Sequence, residues 1–130
     1  MVVSLPEQHK WSDHARVYYK VQYIIKALIN GKHYWMSSDR KYAIWFDKKF
    51  GNWKIGYEKH KGTSKCAIYS ICTDTQVGSP AEIENKWACY HRETFHYSSA
   101  DSAMHYRDEA IQVTNFTGMY LNYVIVFFAF

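Results

Sequence analysis

Short runs of β-branched and aromatic residues, each ended by a glycine-centred turn, set the strongest limit on how this chain folds. Asn30-Gly31, Phe50-Gly51-Asn52 and Lys61-Gly62 separate segments of strand length. Glycine supplies the positive φ that tight hairpin turns require, so the spacing predicts a meander of antiparallel strands. Expected strands are His33–Ser38, Tyr42–Asp47, Asn52–Glu58, Cys66–Cys72, Lys86–His91, Thr94–Ser98, Ala110–Asn115 and Met119–Phe130. Alternation assigns their faces. Tyr42, Ile44 and Phe46 form one set and Trp53, Ile55 and Tyr57 another, joined by the four-residue connection Lys48 to Gly51.

A chain of 130 residues holds one core, read here as a single domain spanning 1–130. Residues 1–12 are a polar lead-in, and 119–130 form an apolar terminal strand that something must cover. That run carries Asn122 and is too short to cross a bilayer as a helix. The segment Ser12–Ile29 satisfies two templates. As a helix it aligns Val17, Val21, Ile24, Ile25, Leu28 and Ile29, with Ser12 or Asp13 as N-cap; as a strand it alternates Val17, Tyr19, Val21, Tyr23 and Ile25. The fold class is therefore mainly β, an antiparallel sandwich or small barrel with room for one N-terminal helix.

Charge is uneven along the chain. Residues 1–39 carry +2, 40–65 carry +6 and 66–130 carry −4, making the net +4. The middle zone suits phosphate, sulfated glycan or an acidic surface. Of three cysteines, Cys66 and Cys72 would sit about 20 Å apart on one strand face and cannot bridge each other. Three buried thiols are the expectation. The opening ten residues show neither a charged leader nor an apolar run of signal-peptide length, whereas Asn115-Phe116-Thr117 is a glycosylation sequon. The compartment stays open, with an extracellular setting slightly favoured.

Nothing in the sequence matches a nucleophile elbow, a zincin helix motif, a phosphate-cradling glycine loop or a dinucleotide fingerprint. The chain reads as non-enzymatic and cofactor-free. Cys89 and His91 make a conceivable nucleophile and base but lack an orienting third group. His91, His96 and His105, near Asp101, Asp108 and Glu109, are the densest set of metal-ligating types, yet their spacing fits no structural zinc template.

Aromatic residues make up 18% of the chain, more than one small core needs, so some rings are expected on exposed strand faces. Trp and Tyr beside Arg, Asp and Lys form a platform on which apolar sugar faces stack while polar groups bind hydroxyls. If Tyr42, Ile44 and Phe46 face the core, Trp45 points outward, and Lys54 joins it with Asp47 and Arg40 in support. Tyr57 and His91 complete the expected ligand-binding set.

The order Gly31-Lys32-His33-Tyr34-Trp35, Tyr42-Ala43-Ile44-Trp45-Phe46, Asn52-Trp53-Lys54-Ile55-Gly56, Ala67-Ile68-Tyr69-Ser70, Ser79-Pro80 and Trp87 resembles small aromatic-rich β repeat modules of uncharacterised extracellular invertebrate proteins, over about residues 30–90. The chain departs from them at Tyr90-His91-Arg92-Glu93, where they carry an Asp-Gly turn. The resemblance implies a compact β module of the kind used in adhesion, carbohydrate recognition or matrix building. The favoured function is lectin-like carbohydrate recognition. The alternative is a structural, self-assembling homo-oligomer, and a third class is single-stranded nucleic-acid binding through residues 40–65, for which no motif wording is present.

Overall fold

The computed structural model describes residues 1–21, 28–71, 79–83, 86–89 and 108–115. Along them run β1 (Val2–Ser4), β2 (Tyr18–Lys20), β3 (Leu28–Ile29), β4 (Lys32–His33), β5 (Trp35–Ser37), β6 (Tyr42–Asp47), β7 (Asn52–Tyr57), β8 (Ile68–Ser70), β9 (Trp87–Cys89) and β10 (Gln112–Thr114). Single 3-10 turns lie at Ser12–His14, Glu58–His60 and Pro80–Glu82. The order β2-β5-β6-β7-β8-β9 makes one antiparallel sheet, β3 and β4 form a hairpin, and β1 pairs with β10. The fold is mainly β, as expected. The expected strands Thr94–Ser98 and Met119–Phe130, Cys72 and the last two sequon positions lie outside the described residues.

Turn chemistry sets the hairpins. Asn30 and Gly31 take φ of 54° and 82°, the paired positive values of a two-residue turn whose twist matches the strands it joins. Between β6 and β7, the Gly51 N–H donates to the Asp47 carbonyl at 2.8 Å and the Lys49 N–H to Asp47 Oδ1 at 2.9 Å. That fixes a register in which Trp45 opposes Lys54 and Phe46 opposes Trp53.

Over the described part of Ser12–Ile29 the helical alternative fails. One 3-10 turn leads into β2, because backbone pairing outcompetes local winding. The Tyr18 N–H donates to the Met1 carbonyl at 2.7 Å, the Met1 ammonium donates to the Tyr18 carbonyl at 2.8 Å, and Val17 bridges Val2. β1 thus lies along the β2 edge of the sheet. At the opposite edge the Asp108 N–H, just before β10, donates to the Trp87 carbonyl of β9 at 2.8 Å. Among the described residues the β1–β10 ribbon therefore reaches both edges of the sheet, a closure of the kind found in small barrels.

Inside the closure lie Tyr18, Trp35, Ile44, Phe46, Trp53, Ile55, Ile68 and Trp87, packed with Val3, Val113 and Ile111. The outer face of the same strands is buried too. Tyr34, Ala43, Trp45, Cys66, Tyr69 and Ala88 form a second cluster beneath the segment that follows β7. Trp45 Nε1 donates to the Thr63 carbonyl at 2.8 Å, and Asn30 Nδ2 donates to the Phe46 carbonyl at 2.7 Å. Residues 58–66 and the β3–β4 hairpin thus form a roof over β6 and β7.

Gly56 is what lets the roof descend. A Cβ there would stand 3.1 Å from the Cys66 Cα and 3.2 Å from the Trp45 ring, and the first of these is backbone that cannot swing aside. Gly56→Ala is expected to cost about 1–3 kcal/mol in urea denaturation, the usual penalty for overpacking.

Lys54 and Asp47, both buried, pair beneath the roof at 3.6 Å, with the Lys54 ammonium 4.9 Å from the Phe50 ring and 5.4 Å from the Tyr69 ring. Burial pushes the Lys54 ammonium below the ordinary lysine range, against the pull of Cys66 and Asp47. Removing one partner of a buried pair strands the other charge. Lys54→Met is therefore expected to cost about 3–5 kcal/mol, and adding Asp47→Asn, which keeps the turn acceptor, to recover most of that loss.

Candidate functional site

The six side chains expected to bind ligand do not assemble into one site. Trp45, Asp47 and Lys54 do share a face, as alternation requires, but that face is sealed by the roof and all three are buried. The expected exposed platform is corrected accordingly. Arg40 is exposed at the β5–β6 turn with φ of 60° and lines a shallow groove with Tyr19, Met36, Glu58 and Lys61. His91, and with it the metal candidates His96 and His105, lies outside the described residues. Among the described members of the set, Tyr57 stands at a second cleft and is 42% exposed.

That cleft is built where the roof ends. It has a volume of about 380 Å³ and is lined by Trp11, Tyr57, Lys59, His60, Lys65, Cys66 and Ala67. Behind it the rings form a chain. Tyr57 stacks on Tyr42 at 5.5 Å between centroids, and His14 lies edge-on to Trp11, Tyr42 and Tyr57 at 5.6, 4.7 and 5.4 Å. His60 closes the far side, 6.4 Å from Tyr57. The two large rings are therefore held from behind by packed aromatics, and a stacking surface loses little entropy on binding when it is already fixed.

The rim is cationic. The Lys59 ammonium sits 5.7 Å from the Tyr57 ring centroid, and the Lys10 ammonium 5.3 Å from that of Trp11. Burial, then Lys65 and Lys59, hold the His60 imidazole below its ordinary value. Two lysines of the basic zone are engaged elsewhere, since Lys54 is inside and Lys61 pairs with Glu58. Trp11, His60 and Lys65 were not singled out by sequence reasoning, which placed Lys59 only among the basic-zone lysines suited to phosphate. The one local signal was Tyr57 followed by Glu58-Lys59-His60-Lys61, a charged turn after an aromatic strand end.

A second polar cluster sits at the seam where β9 meets the lead-in to β10. Asp108 Oδ2 accepts from His9 Nε2 at 2.8 Å and from the Cys89 thiol at 3.6 Å, while Oδ1 accepts from the Ala110 N–H at 3.0 Å. The Trp11 N–H donates to His9 Nδ1 at 3.0 Å, which places the ring proton on Nε2. Burial would raise the Asp108 carboxyl, but the bonds from His9 and Ala110 outweigh it and hold it below the usual range. Burial and the neighbouring Asp108 push the Cys89 thiol up to about 11. A thiol so protonated, bonded to a carboxylate with no base between them, is not an activated nucleophile. Cys66 and Cys89 are both buried thiols.

No known family matches the chain, and no curated protein or solved structure is similar to it.

His14, behind the cleft, is buried, and burial outweighs the Trp11 backbone and Asp13, which favour its charged form. Burial pulls its imidazole from an ordinary 6.5 down to about 4. Between those values the unfolded chain takes up a proton that the folded chain refuses, so stability falls as pH drops from 6.5 toward 4. The loss is expected to total on the order of 3 kcal/mol. Urea titrations across this window should show the slope in the native chain and most of it gone in His14→Phe, which keeps the ring packing.

Proposed function

We propose that this protein is a non-catalytic carbohydrate-recognition module that binds an acidic sugar in the Trp11–Tyr57 cleft. The observation that carries the reading is the pairing of two large, back-supported rings with a cationic rim around a cleft of about 380 Å³. That volume suits one or two sugar rings. An apolar sugar face lies on Tyr57 and Trp11, and a sulfate or carboxylate meets Lys59, Lys65 and His60.

The rim also sets how binding responds to pH and salt. An anion beside His60 favours the imidazolium, so affinity rises as pH falls through a His60 value that lies below the ordinary one. Added salt weakens the same contacts.

A glycan array spanning neutral, sulfated and uronic-acid sugars, followed by titration of intrinsic Trp fluorescence, tests this. Acidic sugars should bind, Trp11→Ala and Tyr57→Ala should each weaken binding at least tenfold, and Lys59→Gln with Lys65→Gln should flatten the salt dependence. Binding unchanged in both ring variants, or preference for single-stranded nucleic acid over every sugar, overturns the assignment.

A further inference from the structure

We propose that His9, Cys89 and Asp108 form a binding site for a zinc-type divalent cation at the seam of the barrel. The three ligand atoms, one imidazole nitrogen, one sulfur and one carboxylate oxygen, lie within 4.8 Å of one another. A tetrahedral zinc ion with bonds of about 2.0–2.3 Å spaces its ligands about 3.3–3.7 Å apart. The Cys89 Sγ to Asp108 Oδ2 separation of 3.6 Å already meets that, and the His9 to Asp108 pair at 2.8 Å needs to open by less than an ångström.

The ligands are placed by the fold rather than by a local motif. Asp108 is fixed by its N–H on the Trp87 carbonyl and by the Ala110 N–H on Oδ1. Cys89 ends β9, one residue beyond its Tyr69-paired neighbour Ala88. His9 is set in the lead-in by its N–H on the Pro6 carbonyl and by the Ser12 N–H on its own carbonyl, each at 3.0 Å. The His9 and Asp108 side chains are 11% and 26% exposed, which leaves a route from solvent and an open fourth position for water. One thiolate with one imidazole and one carboxylate selects zinc or cobalt over magnesium or calcium, which take oxygen.

Loading the site replaces the present hydrogen bonds. The Cys89 thiol releases its proton to solvent and the thiolate binds the cation. The His9 ring keeps its proton, moved from Nε2 to Nδ1, and gives up the bond from the Trp11 N–H. This site is independent of the carbohydrate reading and stands or falls without it.

Titration of the full chain with cobalt(II), read by absorption, tests the assignment. The expected result is a one-to-one complex with tetrahedral ligand-field bands and a thiolate-to-cobalt charge-transfer band, both erased by added zinc. Cys89→Ser should abolish the charge-transfer band, His9→Ala should weaken cobalt binding at least tenfold, and Cys66→Ser should change neither. Zinc should also shield Cys89 from alkylation in the unaltered chain, mapped by peptide mass, a readout that needs no variant to fold. Absence of the charge-transfer band in excess cobalt, its survival in Cys89→Ser, its loss in a His91→Ala, His96→Ala, His105→Ala triple variant, or alkylation of Cys89 unaffected by zinc overturns the site.

Discussion

Strands β6 and β7 are buried on both faces, and a pair of strands of that kind is stable only when something lies against each side. Inside, the closure by β1 and β10 supplies the cover; outside, the 58–66 segment does, with Trp45 Nε1 bonded to the Thr63 carbonyl. Two small cores on one sheet explain the aromatic content better than a binding platform does. Trp35, Trp53 and Trp87 serve the inner core and Trp45 the outer one. A large ring buries 150–250 Å² or so, which lets a chain this short fill two layers.

The cleft is a by-product of that roof. Gly56 allows Cys66 to settle on the sheet, and Lys65, Cys66 and Ala67 line the cleft beside Tyr57. Tyr57, the last residue of β7, is the exposed end of an otherwise buried strand, and Tyr42 and His14 pack against its ring. Burying the His14 imidazole costs stability at acid pH. The cost is incurred where rings must be held firmly, the kind of place where a fold tolerates a locally unfavourable group.

The pattern of turns and alternation was legible wherever a rule of local chemistry governed it. Asn30-Gly31 announced its hairpin, and Tyr42–Asp47 with its even and odd sets was read with the observed boundaries. Alternation also placed Trp45 and Lys54 on a common face opposite Ile44 and Ile55. What alternation cannot say is whether a face meets water. That depends on residues 58–66 folding back over β6 and β7, and the only local trace of it was a glycine inside a strand, Gly56, a sign of close backbone approach. The lysine in the same strand favoured the opposite reading, since charged side chains are rarely buried without a partner such as Asp47. Nor could spacing join His9 to Asp108, 99 residues apart, because closure of a barrel is a property of the whole chain.

Trp11 ties the two regions together. Its ring is a wall of the cleft, and its backbone N–H donates to His9 Nδ1 in the seam cluster. The hydrogen bond has one direction, because a backbone N–H only donates, so it dictates which His9 nitrogen carries the proton. Any cation that takes His9 Nε2 must reverse that assignment and release the Trp11 backbone.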